Sequence, residues 1–442
     1  MKIFLFLDAI CLFLNGFLSA QEPKPLSIVI MGYGGRAQWL LMKCLAEQSN
    51  IVVAAICDDN AQECLNHMFR ECDGYYADLK KIYNSAMSQV ELYPDSPEGL
   101  STMLNQHGDV DMIWITSRND RHLDHLTYAL QLSPHSKIFM EKPLFRTLEE
   151  LRAFDWSLTN DRDIVIGLTL RYSSMAKIVT QQLQTYKEDL GPLQKVKAWE
   201  RLSFPHALGS FVMTNRRYRS LWGGLLLEKS IHDIDLALFF VSSLGLYPSR
   251  IILDTVIQNQ FFTQSNQEKV LQFCGDKEHK IRVKEVLSNY PATGKFYEDF
   301  IPDYHMLSAR FFSEGCNPIQ FEVETDMSSY RSVMERGTLL TFEQGQVLVD
   351  VMASCMTINL NDGKCFTYDL NTLYGGHADG DMYVVQAILN KTTSNNHFQA
   401  TITDPVVQLA NIIALVSEKQ AIYKQGTQEI RYKNNSWVLE SK

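Results

Sequence analysis

Short apolar runs alternate with helical spacings through the first third of the chain. Leu26 to Met31 is a compact apolar run of the kind a buried parallel strand carries. Apolar positions then recur at Leu40, Leu41, Cys44 and Leu45, which is the spacing of one helix face. Ile51 to Cys57 and Val110 to Thr116 repeat the strand pattern, a helix runs through Leu126 and Leu130, and Lys137 to Met140 forms a further strand. Strands and helices in strict alternation predict βαβ units and a parallel sheet over residues 26–147. Beyond that boundary the rhythm changes. A helix over Leu148 to Leu158 precedes segments of period two, among them Gln194–Trp199, Ile251–Val256, Ile319–Val323, Thr338–Phe342 and Val347–Val351. They predict an α+β domain over residues 148–442 with a large open, mainly antiparallel sheet. The fold class is therefore α/β followed by α+β. The charged, aromatic stretch from Lys277 to Phe312 reads as an extended loop or lid.

The turn after the first strand reads Gly32-Tyr33-Gly34-Gly35-Arg36-Ala37, a G-x-G-x-x-A sequence between strand and helix. In that setting it predicts a Rossmann domain. Gly32 permits the tight turn, Gly34 admits a pyrophosphate to the backbone, and Ala37 lets the helix pack closely. Gly35 and Arg36 open the helix, whose free N–H groups attract phosphate. The second strand finishes at Asp58-Asp59. A carboxylate there accepts hydrogen bonds from ribose hydroxyls and repels a 2′-phosphate, so Asp58 favours NAD over NADP. Arg36, as a possible phosphate contact, is the one feature that points the other way. Ligands of open α/β sheets collect beyond the carboxyl ends of the strands. Thr116, Asn119 and His122 follow one strand end, and Glu141, Lys142 and Pro143 follow the next. All but the proline join the candidate cofactor contacts.

Glu-Lys-Pro in this place resembles the Gfo/Idh/MocA family of oxidoreductases, which includes glucose–fructose oxidoreductase and inositol dehydrogenase. Gly167 to Tyr172 resembles the family's strand into the second domain, and Leu190-Gly191-Pro192-Leu193 the turn before a sheet strand. The segment Gly223 to Asp235 is similar to its active-site helix, Arg336-Gly337-Thr338 to a turn in the C-terminal sheet, and Gly375-Gly376-His377 to a late substrate-side loop. The central segment also stands on physics. Positions 228, 232 and 235 share one face of a helix and carry Glu, His and Asp between strongly apolar flanks. Buried ionisable groups are costly unless paired or functional. The resemblance implies that Lys142 lies by the nicotinamide and steadies the reacting oxygen, that His232 takes the proton, and that Glu228 orients it. Glu228 stands where many relatives carry Asp, and Ser230 where many carry Gly. Arg171, Asp235, His232 and His377 are the candidate substrate contacts. Tyr172, Arg216, Arg217, Tyr218 and Trp222 form a weaker group of Arg and aromatic positions, most of them better read as structural. The family's sheet also implies a homo-oligomer, a dimer or tetramer.

Composition removes other classes. The formal charge is -10 with no basic stripe, which argues against nucleic acid as a partner. Nine cysteines include Cys57, Cys64 and Cys72, whose spacing fits no zinc motif, and no metal site is expected. Lys2, the apolar run Ile3 to Leu18 and small Ser19 and Ala20 make residues 1–20 an expected signal peptide, although Asp8 and Asn15 interrupt it. The run is short for a membrane span. Export would place the protein outside the cytoplasm, secreted or periplasmic, and would give meaning to the Asn390 and Asn434 sequons; the alternative is a cytoplasmic protein.

Three functions fit the sequence. The first is an NAD-dependent oxidoreductase acting on a CH–OH group of a sugar, polyol or sugar derivative. The second is a redox-assisted glycoside hydrolase on the same fold, whose retained NAD would suit an exported protein. The third is a non-catalytic NAD-bound sensor or sugar-binding protein, against which the intact Lys142 and His232 speak.

Overall fold

The computed structural model describes residues 25–47, 50–67, 77–290, 299–329, 331–371, 377–389, 399–423, 427–433 and 436–440. The expected signal peptide, the two sequon asparagines, Cys72, Gly375 and Gly376 lie outside them.

The apolar runs of the first third become a six-stranded parallel sheet. Its strands are β1 (Leu26–Met31), β2 (Ile51–Cys57), β3 (Glu91–Tyr93), β4 (Met112–Ile115), β5 (Lys137–Met140) and β6 (Ile164–Ile166), in the order β3-β2-β1-β4-β5-β6. Helices cover both faces of such a sheet, so Ile28 to Met31 and Met112 to Ile115 are buried almost completely. The order reverses at β1, which lies between β2 and β4, and this opens a crevice beyond their carboxyl ends. Helix α1 (Gly35–Glu47) leaves β1 at that crevice. The sheet runs past residue 147, where the pattern placed the domain boundary, because β6 pairs with β5. Beyond Ile166 the chain does not continue as a strand. Gly167 takes its place beside the Glu141 carboxylate, which a Cβ would meet at 2.8 Å, and Thr169–Tyr172 coil into a 3-10 turn.

The second sheet has ten strands: β7 (Leu193–Arg201), β8 (Arg250–Asn259), β9 (Tyr304–Phe312), β10 (Ile319–Asp326), β11 (Glu335–Phe342), β12 (Gly345–Asp350), β13 (Cys355–Leu360), β14 (Cys365–Asp369), β15 (Gln428–Lys433) and β16 (Ser436–Glu440). They run in the order β14-β13-β12-β11-β7-β10-β9-β8-β15-β16, antiparallel except where β7 meets β10. Helix α2 (Ile231–Ser243) is buried from Ile231 to Val241 and packs between β7 and helix α4 (Pro405–Tyr423). Helix α3 (His377–Ile388) returns to lie against α1.

The stretch expected as a loop or lid holds regular structure in its described residues, 277–290 and 299–312. Lys277–Ser288 is a helix capped by the Asp276 side chain, which accepts from the His279 N–H at 2.7 Å. Its Val283 and Leu287, one turn apart, pack with Phe204, Phe262 and Tyr290 into a second small core. Tyr304–Phe312 is an interior strand of the large sheet, paired on both sides.

Candidate active site

The crevice is built first from backbone. Gly32 sits at φ +87°, and a Cβ there would stand 2.3 Å from the Ser117 Cα, so the loops leaving β1 and β4 touch at this glycine. Thr116 Oγ1 donates to the Gly32 carbonyl at 2.6 Å and the Gly32 N–H donates to the Cys57 carbonyl at 2.9 Å. Gly34 and Gly35 are the opposite case: a Cβ on either would meet nothing within 4 Å. They leave open space over the first N–H groups of α1, which no intrahelical acceptor satisfies. Asp58 is half-buried at the end of β2. Its carboxylate is aimed by two backbone donors, Tyr33 N at 2.8 Å and Asn60 N at 2.7 Å. An open phosphate cradle and a fixed carboxylate across the crevice suit a dinucleotide without a 2′-phosphate.

Arg36 has other business. Its Nε donates to Glu141 Oε1 at 2.6 Å, and its Nη1 lies 2.8 Å from Asp381 Oδ1 on α3. Burial works against its charge, but Glu141 and Asp381 hold its pKa raised. Trp39 Nε1 completes the clamp on Asp381 Oδ2 at 2.9 Å. Asn119 Nδ2 donates to the Trp222 carbonyl at 2.9 Å, joining the β4 loop to the second domain. His122 is buried between two carbonyls, Pro143 at 2.7 Å and Ser117 at 3.2 Å, and does not line the cavity; burial lowers its pKa.

Lys142, Glu228 and His232 meet across the same cavity of ≈ 370 Å³ that Gly32, Gly34, Gly35, Asp58 and Thr116 line. The segment Leu226–Ser230 is a π turn that runs into α2. Its wider winding brings Glu228, Lys229 and His232 to the cavity together. The Lys142 ammonium donates to the Glu228 carbonyl at 2.6 Å and lies 3.5 Å from its Oε2, while Arg216 Nε lies 3.7 Å from Oε1. Glu418 on α4 holds the start of the turn by accepting from Leu226 N at 3.0 Å. Gly224 passes so close that a Cβ would lie 2.2 Å from the Glu418 carboxyl carbon. Burial would raise the pKa of Glu418, yet Arg219 and His305 hold it well below the usual carboxylate range.

Asp235, expected on the same face, points elsewhere. It forms a buried ion pair with Arg171, whose Nε donates to Oδ2 at 2.9 Å and whose other nitrogens reach Asp235 and Asp404. Neither Arg171 nor Asp235 lines the cavity. His377 opens α3, and its side chain lies outside the described residues.

Several cavity residues were not among the candidate site residues, although Lys229 and Arg336 lie in segments that carry the family resemblance. Lys229 packs its ammonium 5.1 Å over the Phe211 ring and 3.4 Å from His206 Nε2. Glu200 on β7 faces Arg336 on β11 across the sheet, Oε1 to Nη1 at 3.5 Å, and Asp233 holds the rest of that guanidinium at 2.7 and 2.8 Å. Three buried cavity atoms, Ser117 Oγ, Trp222 Nε1 and Glu200 Oε2, have no hydrogen-bond partner among the described residues. Such atoms are the mark of a site completed by a polar ligand. The described residues include no cluster of metal-ligating side chains and no helix long and apolar enough to cross a membrane.

The fold recurs in solved structures. Levoglucosan dehydrogenase in complex with NADH and levoglucosan superposes with a TM-score of 0.60 at 14% identity, covering 95% of this chain and all (100%) of that one. An oxidoreductase structure from Thermotoga maritima gives 0.57 at 15% identity, with 94% and 100% covered. The super-repressor mutant of Gal80p from Saccharomyces cerevisiae gives 0.58 at 13%, with 91% and 97% covered. No curated protein matches the chain by sequence. Residues 26–158 match the model of the oxidoreductase family with an NAD-binding Rossmann fold. With its glycine cradle, its Asp58 and its Glu-Lys-Pro strand end, this N-terminal domain matches the Gfo/Idh/MocA oxidoreductase family and is an NAD-binding Rossmann domain.

Proposed function

We propose that the protein transfers hydride between NAD and a CH–OH carbon of a sugar, polyol or sugar derivative. The observation that carries this reading is the meeting of Lys142, Glu228 and His232 in the cavity that the Gly34–Gly35 cradle opens onto. When bound, NAD supplies the hydride acceptor or donor. His232, on the first turn of a buried helix, takes the hydroxyl proton in the oxidative direction. Lys142 spends two donors on Glu228 and keeps a third for the reacting oxygen, whose growing negative charge it offsets. Glu228 thus sets the lysine, and Arg216 sets Glu228.

The first test is identification of the nucleotide released by acid from the purified protein, followed by incubation with sugars and polyols while NADH is followed by absorbance. NADH formation on a free sugar supports the dehydrogenase. Cleavage of a glycoside without added NAD supports the redox-assisted hydrolase instead. The likeness to a repressor structure gives the non-catalytic sensor a footing, and sugar binding with unchanged substrate after long incubation would favour it. We further propose export through residues 1–20; N-terminal sequencing of the mature protein tests it.

A further inference from the structure

The floor of the cavity, away from the glycine cradle, is densely charged. Glu228 is flanked by Lys142 and Arg216, and Arg336 is held by Asp233 and by one oxygen of Glu200. That leaves the second oxygen of Glu200 and the ammonium of Lys229, both on residues that face the cavity. Glu200 is 3% exposed, and its Oε2 accepts no hydrogen bond among the described residues. A buried carboxylate oxygen held in that state is costly unless a donor reaches it.

Lys229 is held from behind. Its ammonium rests over Phe211 and beside His206, both on the segment Phe204–Val212. That segment is anchored in the second core, where Phe204 meets Phe262 at 5.9 Å and Phe273 at 5.2 Å between ring centroids. Residues 261–290 therefore buttress the wall from which Lys229 reaches the cavity. A neutral imidazole and an aromatic face satisfy an ammonium only in part, so N–H donors remain for a ligand.

We propose that Glu200 and Lys229 form a substrate subsite, separate from the Lys142–Glu228–His232 group, that binds the hydroxyls of a polyhydroxylated substrate. Glu200 accepts from one hydroxyl and Lys229 donates to it or to its neighbour. Glu200 offers an acceptor and Lys229 a donor, so a vicinal diol uses both residues. This rests on the carbohydrate reading given above.

The experiment is calorimetric titration of the NADH-loaded protein with levoglucosan, D-glucose and myo-inositol, in wild type, Glu200→Gln and Lys229→Met. Lys229→Met keeps the stem on Phe211 and carries the test alone if Glu200→Gln does not fold. The expected result is a loss of sugar affinity of roughly tenfold to a hundredfold in either variant, with NADH affinity unchanged. Among deoxy analogues of the bound sugar, the one that lacks the recognised hydroxyl then costs wild type affinity but costs Glu200→Gln little more. Wild-type sugar affinity in both variants would overturn the subsite and leave the carbohydrate reading standing. Failure of wild type to bind any of the three sugars, while NADH binds, would overturn both.

Discussion

Gly34→Ala separates cofactor binding from folding. Gly34 lies just before α1 and a methyl there meets nothing within 4 Å. Its backbone lies outside the left-handed region, so the substitution changes folding stability by no more than about 0.5 kcal/mol, loss of a preferred cap residue offsetting lower chain entropy. The methyl instead occupies the space through which a pyrophosphate reaches the helix N–H groups. An NADH affinity lower by about tenfold to a hundredfold follows, or about 1.4–2.8 kcal/mol. Gly32→Ala is the control with the opposite signature. Its φ of +87° costs about 1–2 kcal/mol in an L residue. The collision with the Ser117 backbone at 2.3 Å adds about 1–3 kcal/mol of overpacking. Urea unfolding and fluorescence titration with NADH on the same preparations give both quantities. Wild-type NADH affinity in a folded Gly34→Ala protein would refute the placement of the phosphates over this glycine.

Three more outcomes follow from the site. Lys142→Met should lower turnover by about a hundredfold or more with NADH affinity retained; steady-state rates beside a binding titration check it. Arg171→Met strands Asp235 and Asp404 and should destabilise the fold by about 3–5 kcal/mol, while the folded protein keeps its NADH and sugar affinities; lost sugar affinity at wild-type stability would instead make Arg171 a substrate contact. Glu418, with its pKa depressed in the fold, stabilises the protein above its unfolded pKa of about 4.3, and that stabilisation fades as pH falls toward the folded value. Glu418→Gln should therefore be less stable near neutrality, and the gap to wild type should narrow below about pH 4.3 in unfolding curves taken across pH.

The parallel sheet and the glycine turn were legible because each is encoded locally, in contiguous runs and in one short motif. The same holds for Lys142 and His232. Asp235 was assigned to the cavity from ideal helical spacing, and the π turn at Leu226–Ser230 changes the phase between it and Glu228. That winding also turns Lys229 inward, which a straight helix would have placed elsewhere. Glu200 carries no motif at all; only the register of β7 against β11 brings it to Arg336 and the cavity, and register across more than a hundred residues is not written in periodicity. The helix at Lys277–Ser288 did leave a trace, Val283 and Leu287 one turn apart, but charged neighbours diluted it.

The first domain is finished by the last part of the chain. Ile166 N on the edge strand β6 donates to the Ala400 carbonyl at 2.9 Å, and Val165 bridges to Thr401. Asn411 Oδ1 accepts from Leu144 N at 2.8 Å just past Lys-Pro, and Asp381 grips Arg36. During synthesis, then, the family-matched segment emerges early but waits for more than two hundred residues before its edge is covered and its phosphate-side arginine is paired. A ribosome-bound chain stopped before Asp381 holds the nucleotide fingerprint without the clamp behind it. The two regions are separate in sequence but mature as one unit, and the first domain gains its full set of contacts only once residues 381–411 have been made.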